Sequence, residues 1–482
     1  MSGSILENPD LAPVPPERRT WRAGSYAALW ISMSACVPTY MLASSIVGGG
    51  MNWWEAILTI FLGNAIVLVP ILLNAHAGTR YGIPFPVLCR ASFGTTGANL
   101  PALLRALVAC GWFGIQAWIG GDAIHKIMGI FFPSLLAGTP IAGLGISVSQ
   151  LLCFLAFWGV NMWVVYKGID SIRILLNIKA PLLIVLGIVF LVWAYRTAGG
   201  FGPMLSQPSA FDPGQPKAGQ FMAFFIPALT GMVGFWATLS LNIPDFSRYA
   251  VSQRDQIVGQ ALGLPLAMAF YSFIGVAVTS ATVVIFGRTI WDPLEVLVQF
   301  KNPLVLLVAM LALCVATLAT NIAANVVSPA NDFAHLNPRL ISFRIGGLIT
   351  GLIGIAMMPW KLIADPSGYV FTWLLGYSAL LGPIGGIMIA DYFVLRRTKL
   401  DVPALYDPNG SYSYTGGWSL VAVLAFLVAV LPNLPGFLAQ VRWVDPSHVP
   451  AFFLSLYSFA WFAGFAIAFV AYVILRKLAA NL

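Results

Sequence analysis

Apolar runs of about twenty residues recur along this chain from residue 27 to residue 475, separated by short polar or Gly/Pro-rich stretches. A helix needs about 20 mostly apolar residues to cross the hydrocarbon core of a bilayer. Twelve segments meet that length: 27–48, 54–74, 100–127, 143–166, 174–196, 220–242, 260–286, 303–327, 341–359, 369–394, 417–438 and 452–475. In hydrocarbon each backbone N–H and C=O has to be satisfied inside the segment, so runs of this length are helices. The pattern predicts an all-α polytopic membrane protein with twelve spans. Between the second and third spans, His76 to Asn99 holds Arg80, Pro84, Pro86 and Arg90 and reads as an interfacial or cytoplasmic connector. The polar, proline-rich start up to Arg22 lacks the layout of a secretory signal and is expected to stay in the cytoplasm.

Composition strengthens this picture. Of 482 residues, 59% are hydrophobic and 9% charged, against about a quarter charged in soluble domains. The basic residues also set an orientation. With the N-terminus inside, 18 of the 25 Lys and Arg fall on the cytoplasmic side, among them Arg173, Lys179 and Arg339, and 7 on the other, among them Lys301. Such a bias places both termini in the cytoplasm, and the plasma (inner) membrane is the expected location. Although the net charge is +8, its scatter over short loops argues against nucleic acid. The five cysteines, Cys36, Cys89, Cys110, Cys153 and Cys314, sit in or beside apolar runs as packing residues without metal-ligand spacing. His76, His125, His335 and His448 are dispersed, so no metal site and no nucleophile–base set of an enzyme is expected. No cofactor is expected either. The expected partners are a small planar heterocycle and the lipid bilayer, with a monomer as the unit.

Thr197 to Gly219 is the longest outer connection and follows the fifth span. A cut there leaves five spans on one side and five matching ones on the other, plus two. An odd number of spans per half turns the second half upside down, the mark of an inverted repeat. The expected organisation is a cytoplasmic tail (1–26), a first repeat (27–197), an outer linker (198–219) and a second repeat (220–394). A cytoplasmic linker (395–416), two accessory helices (417–476) and a C-terminal tail (477–482) follow.

The first and sixth spans carry matching interruptions. Pro38 lies mid-span and deprives the carbonyls near Ser34 and Ala35 of helical partners. Gly231 and Gly234 weaken the sixth span beside Trp236. Paired breaks of this kind point to a midplane site, where unwound carbonyls suit a cation and helix N-termini suit partial negative charge. On the third span Trp112 and Gln116 are four apart and share one helix face. They offer a stacking face and an edge amide to a flat ring, and Trp236 can close the stack. The eighth span adds Thr320 and Asn325. Asp122, an intramembrane carboxylate beside His125 and Lys126, is a candidate proton carrier.

These residues resemble the nucleobase:cation symporter-1 family along almost the whole chain. The resemblance is carried by Trp30 with Pro38-Thr39-Tyr40, Tyr81 to Pro86 with Arg90 to Gly94, Trp112 to Gln116, Leu241 to Ser247, Thr320-Asn321 with Asn325, Ser328-Pro329, and Gly382-Pro383 with Asp391 to Phe393. Plastid-type nucleobase carriers look most similar, and allantoin permeases almost as much. The resemblance implies a leucine-transporter-type fold: two inverted five-helix repeats plus two helices. It implies import of a nucleobase or related heterocycle by cation symport, uracil-like first, with allantoin or hydantoin as the alternative. A channel or membrane enzyme is the alternative of another class. By the same resemblance Trp112 and Trp236 sandwich the ring, Gln116 and Asn325 bind its edge, and Cys36 occupies the first-span substrate position. The sodium site of the family falls on Ser32, Ala35, Ala316, Ala319 and Thr320, where Ala319 lacks a hydroxyl. The coupling ion is therefore Na⁺ at that set or H⁺ through Asp122.

Overall fold

The computed structural model describes residue 6 and residues 11–167, 169–300, 302–336 and 340–480; side chains of 169–181, 331, 334, 335 and 480 fall outside that description. Lys301, Arg339 and the side chains of Arg173, Lys179 and His335, named above, lie outside it too. Every long element is a helix, and local chemistry starts several of them. Asn52 accepts from Glu55 N while Glu55 accepts from Asn52 N, a capping box for α3 (Trp53–Tyr81). Ser252 caps α10 (Gln253–Phe286), and Asn302 followed by Pro303 opens α11 (Pro303–Asn325).

The first span is two helices, α1 (Ala23–Ser34) and α2 (Val37–Gly49), bent by 62° at Ala35–Cys36. Pro38 does not kink one helix; it sits in the first turn of the second, where its missing N–H costs nothing. After α3 come α4 (Phe85–Phe93), α5 (Asn99–Phe131), α6 (Val148–Lys167) and α7 (Ile169–Thr197). The sixth span is α8 (Phe221–Phe235) and α9 (Ala237–Asn242). Beyond α10 and α11 lie α12 (Val327–Leu336), α13 (Phe343–Ala356), α14 (Gly368–Leu395), α15 (Leu420–Gln440), α16 (Ala451–Ser458) and α17 (Ala460–Ala480). Among the described residues eight helices are individually long and apolar enough to span, and the bent pair makes a ninth. Leu182–Thr197, Phe221–Phe235 and Phe343–Ala356 are shorter apolar helices. With them twelve apolar helical segments stand among the described residues, the number the hydrophobic pattern predicts.

One expectation changes. Gly231 and Gly234 do not loosen the sixth span, which stays helical through both and breaks at Trp236. Their lack of a Cβ serves packing instead: a methyl on Gly234 would strike Ser378 and Leu374 of α14, and Tyr377 Oη donates to the Gly234 carbonyl at 2.8 Å. The connector after α3 is itself helical and packed into the protein, since all nine residues of α4 are buried, Arg90 included.

The helices pack in two groups. One holds α1, α3, α8 and α10; the other holds α5, α6, α11, α12 and α13. Meanwhile α7 touches α10 and α11, and α14 touches α8 and α5. We call the end of the bundle holding Arg22, Tyr81 and Asn99 the basal face. The tail is tied to it: Val14 N donates to the Gly82 carbonyl at 2.9 Å, and Arg19 Nη1 donates to the Thr79 carbonyl at 2.9 Å.

Candidate functional site

A cavity lies between the two helix groups. Its wall comes from the α1/α2 break, the α8/α9 break, α5, α11 and the start of α12. Trp112, Gln116, Trp236, Asn325 and Cys36 all line it. The structure brings together the five residues expected to hold a ring.

Trp112 is fixed by rings meeting it edge-on: Phe235 at 5.3 Å, Trp373 at 5.8 Å and Tyr369 at 6.2 Å between centroids. Gly111 lets Trp373 come this close, because a Cβ there would overlap the indole. Trp236 is held edge-on by Trp30 at 5.1 Å and by Phe235 at 4.9 Å. Phe235 thus touches both tryptophans and is part of the wall; the sequence reading passed over it, although it adjoins Trp236.

The polar atoms are the more telling feature. Gln116 Oε1 and Trp236 Nε1 are buried and have no hydrogen-bond partner in the protein. Buried groups of this kind are rare in native structures, and here one is an acceptor and the other a donor in the wall of one cavity. Asn325 is aimed by a relay of amides. Its Nδ2 donates to Asn321 Oδ1, and Asn321 Nδ2 donates to Asn161 Oδ1 and to the Phe113 carbonyl, each at 3.1 Å. Cys36 Sγ lies 3.1 Å from Thr39 Oγ1, just past the first-span break.

The candidate cation set is less united. Thr320 lines the cavity, and its hydroxyl donates to the Ala316 carbonyl of its own helix at 2.9 Å. Ala35 sits at the break, while Ala316 and Ala319 are buried in the body of α11 and Ser32 is half-buried in α1. None of these four is in the cavity wall. Asp122 is not there either: it is ion-paired with Lys126 at 2.5 Å, one turn along α5. Ten residues past Trp112 and six past Gln116, its side chain is turned about 100° away from the middle of the face they share. Asp332 on α12 is outside the wall as well, but it is joined to it through one side chain. It is ion-paired with Arg105, a wall residue, and the two are 5% and 2% exposed. Arg105 lies seven residues before Trp112 on the same face of α5, a basic residue within an apolar run, and that phase was the available signal.

On the side away from the basal face α14 packs over the wall residues Trp112 and Pro38. The π-helical start of α14, Gly368–Leu374, lays Tyr369 and Trp373 on Trp112, and Tyr369 Oη donates to the Pro38 carbonyl at 3.0 Å. Toward the basal face the wall continues through Arg105, Asn242, Phe246 and Ser328.

A family model described as permease for cytosine/purines, uracil, thiamine and allantoin matches residues 13–464. Among curated proteins, the purine-uracil permease NCS1 of Arabidopsis thaliana is 46% identical over 98% of this chain and 78% of its own. The allantoin permease of Bacillus subtilis is 39% identical over 98% of this chain and 93% of its own. Among solved structures, the inward-facing conformation of Mhp1 superposes with a TM-score of 0.80 at 26% identity, covering 100% of this chain and 95% of that one. A closed conformation of Mhp1, a nucleobase-cation-symport-1 family transporter with bromovinylhydantoin bound, gives 0.76 at 25% identity over 99% and 96%.

Proposed function

The chain belongs to this family of cytosine/purine, uracil, thiamine and allantoin permeases, the nucleobase:cation symporter-1 family, and from that premise we propose that it imports a nucleobase or related small heterocycle by cation symport with alternating access. The unpartnered pair, Gln116 Oε1 and Trp236 Nε1, carries this reading. A ring amide offers one N–H and one C=O, which satisfy that acceptor and that donor together, while Trp112 supplies the stacking face. Uracil fits first, and the 46% identity to a purine-uracil permease supports it. Allantoin is the second reading, favoured by the 39% identity to an allantoin permease; it presents the same amide chemistry.

Several features support alternating access. Spans 1, 2, 6 and 7 form one helix group and spans 3, 4, 8 and 9 the other, so each span groups with the one five later. That pairing suits two inverted repeats over 27–197 and 220–394. The cavity lies between the groups and its wall extends toward the basal face, and the higher TM-score belongs to the inward-facing conformation. The excess of Lys and Arg then puts the basal face and both termini in the cytoplasm of a plasma-membrane carrier.

For the coupling ion we propose H⁺. Na⁺ needs several oxygens around it, and of the five candidate positions Ala319 has no hydroxyl while only Thr320 reaches the cavity. The proton carrier is Asp332, bonded to a wall side chain, rather than Asp122, bonded to Lys126.

The test is competition of uracil, cytosine, purine bases, allantoin and hydantoins against labelled uracil in cells expressing the protein. Uracil and allantoin are expected to compete. Gln116→Leu is expected to weaken the best competitor by about 1–3 kcal/mol, since it leaves a ring donor without a partner in a dry site. No competition by any compound in the panel, in cells shown to hold the protein at their surface, refutes the assignment.

A further inference from the structure

The cavity does not end at the ring site. Three helices that contribute to that site contribute again nearer the basal face: α5 with Arg105 below Trp112, the chain after Trp236 with Asn242, and the α11/α12 junction with Ser328 after Asn325. Seven helical residues separate Arg105 from Trp112, about 10 Å along the axis. We propose that Arg105, Asn242, Ser328 and Phe246 form a second subsite, which takes the imide or ureide edge of the transported ring on its way to the cytoplasm. This rests on the carrier reading above and extends it along the path.

The groups present are those such an edge needs. Of the Arg105 guanidinium, Nη2 is committed to Asp332; with the Asn242 amide in the orientation that satisfies both of its ends, its oxygen accepts from Nη1 at 3.3 Å. The Nε–H of Arg105 is buried with no partner in the protein, on a side chain only 2% exposed that lines the cavity. A guanidinium donor left over in this way is matched by a ring carbonyl. In the same orientation the Asn242 amide nitrogen donates to the Thr238 carbonyl at 2.9 Å, which fixes the amide plane. Ser328 Oγ lies 3.5 Å from that amide and adds a hydroxyl that can donate or accept. Phe246, in the same wall, provides an aromatic face. The layer therefore repeats the chemistry of the upper site, aromatic face plus amide edge, with a cation added. Because Arg105 and Ser328 belong to one helix group and Asn242 and Phe246 to the other, the subsite is assembled only when the groups meet as they do here.

Saturation-transfer NMR with uracil and purified protein tests this. Trp112→Ala is expected to keep a weakened signal, from ligand in the lower subsite, and adding Asn242→Leu is expected to remove it. In a Trp112-intact background Asn242→Leu is expected to leave the tight dissociation constant within about twofold while maximal uptake falls about tenfold. If Asn242→Leu does not fold, Ser328→Ala takes its place, with a smaller fall of about threefold. Complete loss of signal in Trp112→Ala overturns the subsite, as does an unchanged signal in the double variant or an unchanged uptake rate in Asn242→Leu. Absence of any uracil binding or uptake by the wild type fails the carrier reading instead, and the two failures are distinct.

Discussion

Trp112→Ala raises the dissociation constant for uracil about ten- to a hundredfold, as measured by binding to the purified protein. The substitution removes a buried aromatic face together with its stacking, together about 1.5–3 kcal/mol, which converts to that range of affinity. The effect is large because nothing nearby substitutes for the lost face. Phe235, Trp373 and Tyr369 meet Trp112 edge-on and are themselves held in the packing of α8 and α14. Trp112→Phe is expected to keep part of the affinity. Thermal unfolding separates this from general damage, because Trp112 is also buried and its truncation lowers stability. A variant that unfolds earlier yet binds uracil as wild type does removes Trp112 from the ring site and leaves it a packing residue.

The parts of this site legible in the sequence are those set by one helix at a time. Trp112 and Gln116 share a face because they are four apart, and both line the cavity. The first-span break was readable because a proline ends a helix before it and can start one after it, which is how Ala35–Cys36 comes to divide α1 from α2. Glycine was less readable, since its missing side chain weakens a helix or admits a neighbour, and only the packing tells which. At Gly231 and Gly234 the neighbour won, and the break moved to Trp236. The helix within the connector was not read, because Pro84 and Pro86 suggest irregular chain; Pro84 caps α4 and Pro86 lies in its first turn, where both are tolerated. Least legible was the Arg105–Asp332 pair, whose members are 227 positions apart; no local period links them. Asp122 drew attention as a carboxylate within an apolar span, and the neighbouring Lys126, four residues away on the same face, proves to be its ion-pair partner.

Asp332→Asn abolishes uphill accumulation while leaving exchange of substrate across the membrane. Each pH unit is worth about 1.36 kcal/mol per proton, so a one-to-one symporter with the membrane potential clamped accumulates substrate about tenfold per unit of inward pH gradient. Asp332 is placed to convert that gradient into motion. As a carboxylate it holds the Arg105 guanidinium through Nη2, and Arg105 in turn reaches Asn242 in the other helix group. Protonation removes the charge that pairs with Nη2, leaving Asp245 as the other buried carboxylate that acts on Arg105, and releases Nη2 toward Asn242 and the substrate; loss of the proton restores the pair. Asparagine fixes the neutral state, so proteoliposomes holding the variant are expected to accumulate uracil about onefold at any pH gradient, with counterflow retained. Breaking a buried ion pair from one side costs about 3–5 kcal/mol of stability, so counterflow also serves as the check that the variant is folded. Asp332→Glu is expected to recover part of the gradient dependence, and Asp122→Asn to change it little. Wild-type accumulation that follows a Na⁺ gradient and ignores a pH gradient, with the potential clamped, would falsify the proton assignment and return the coupling ion to Thr320 and the α1/α2 break.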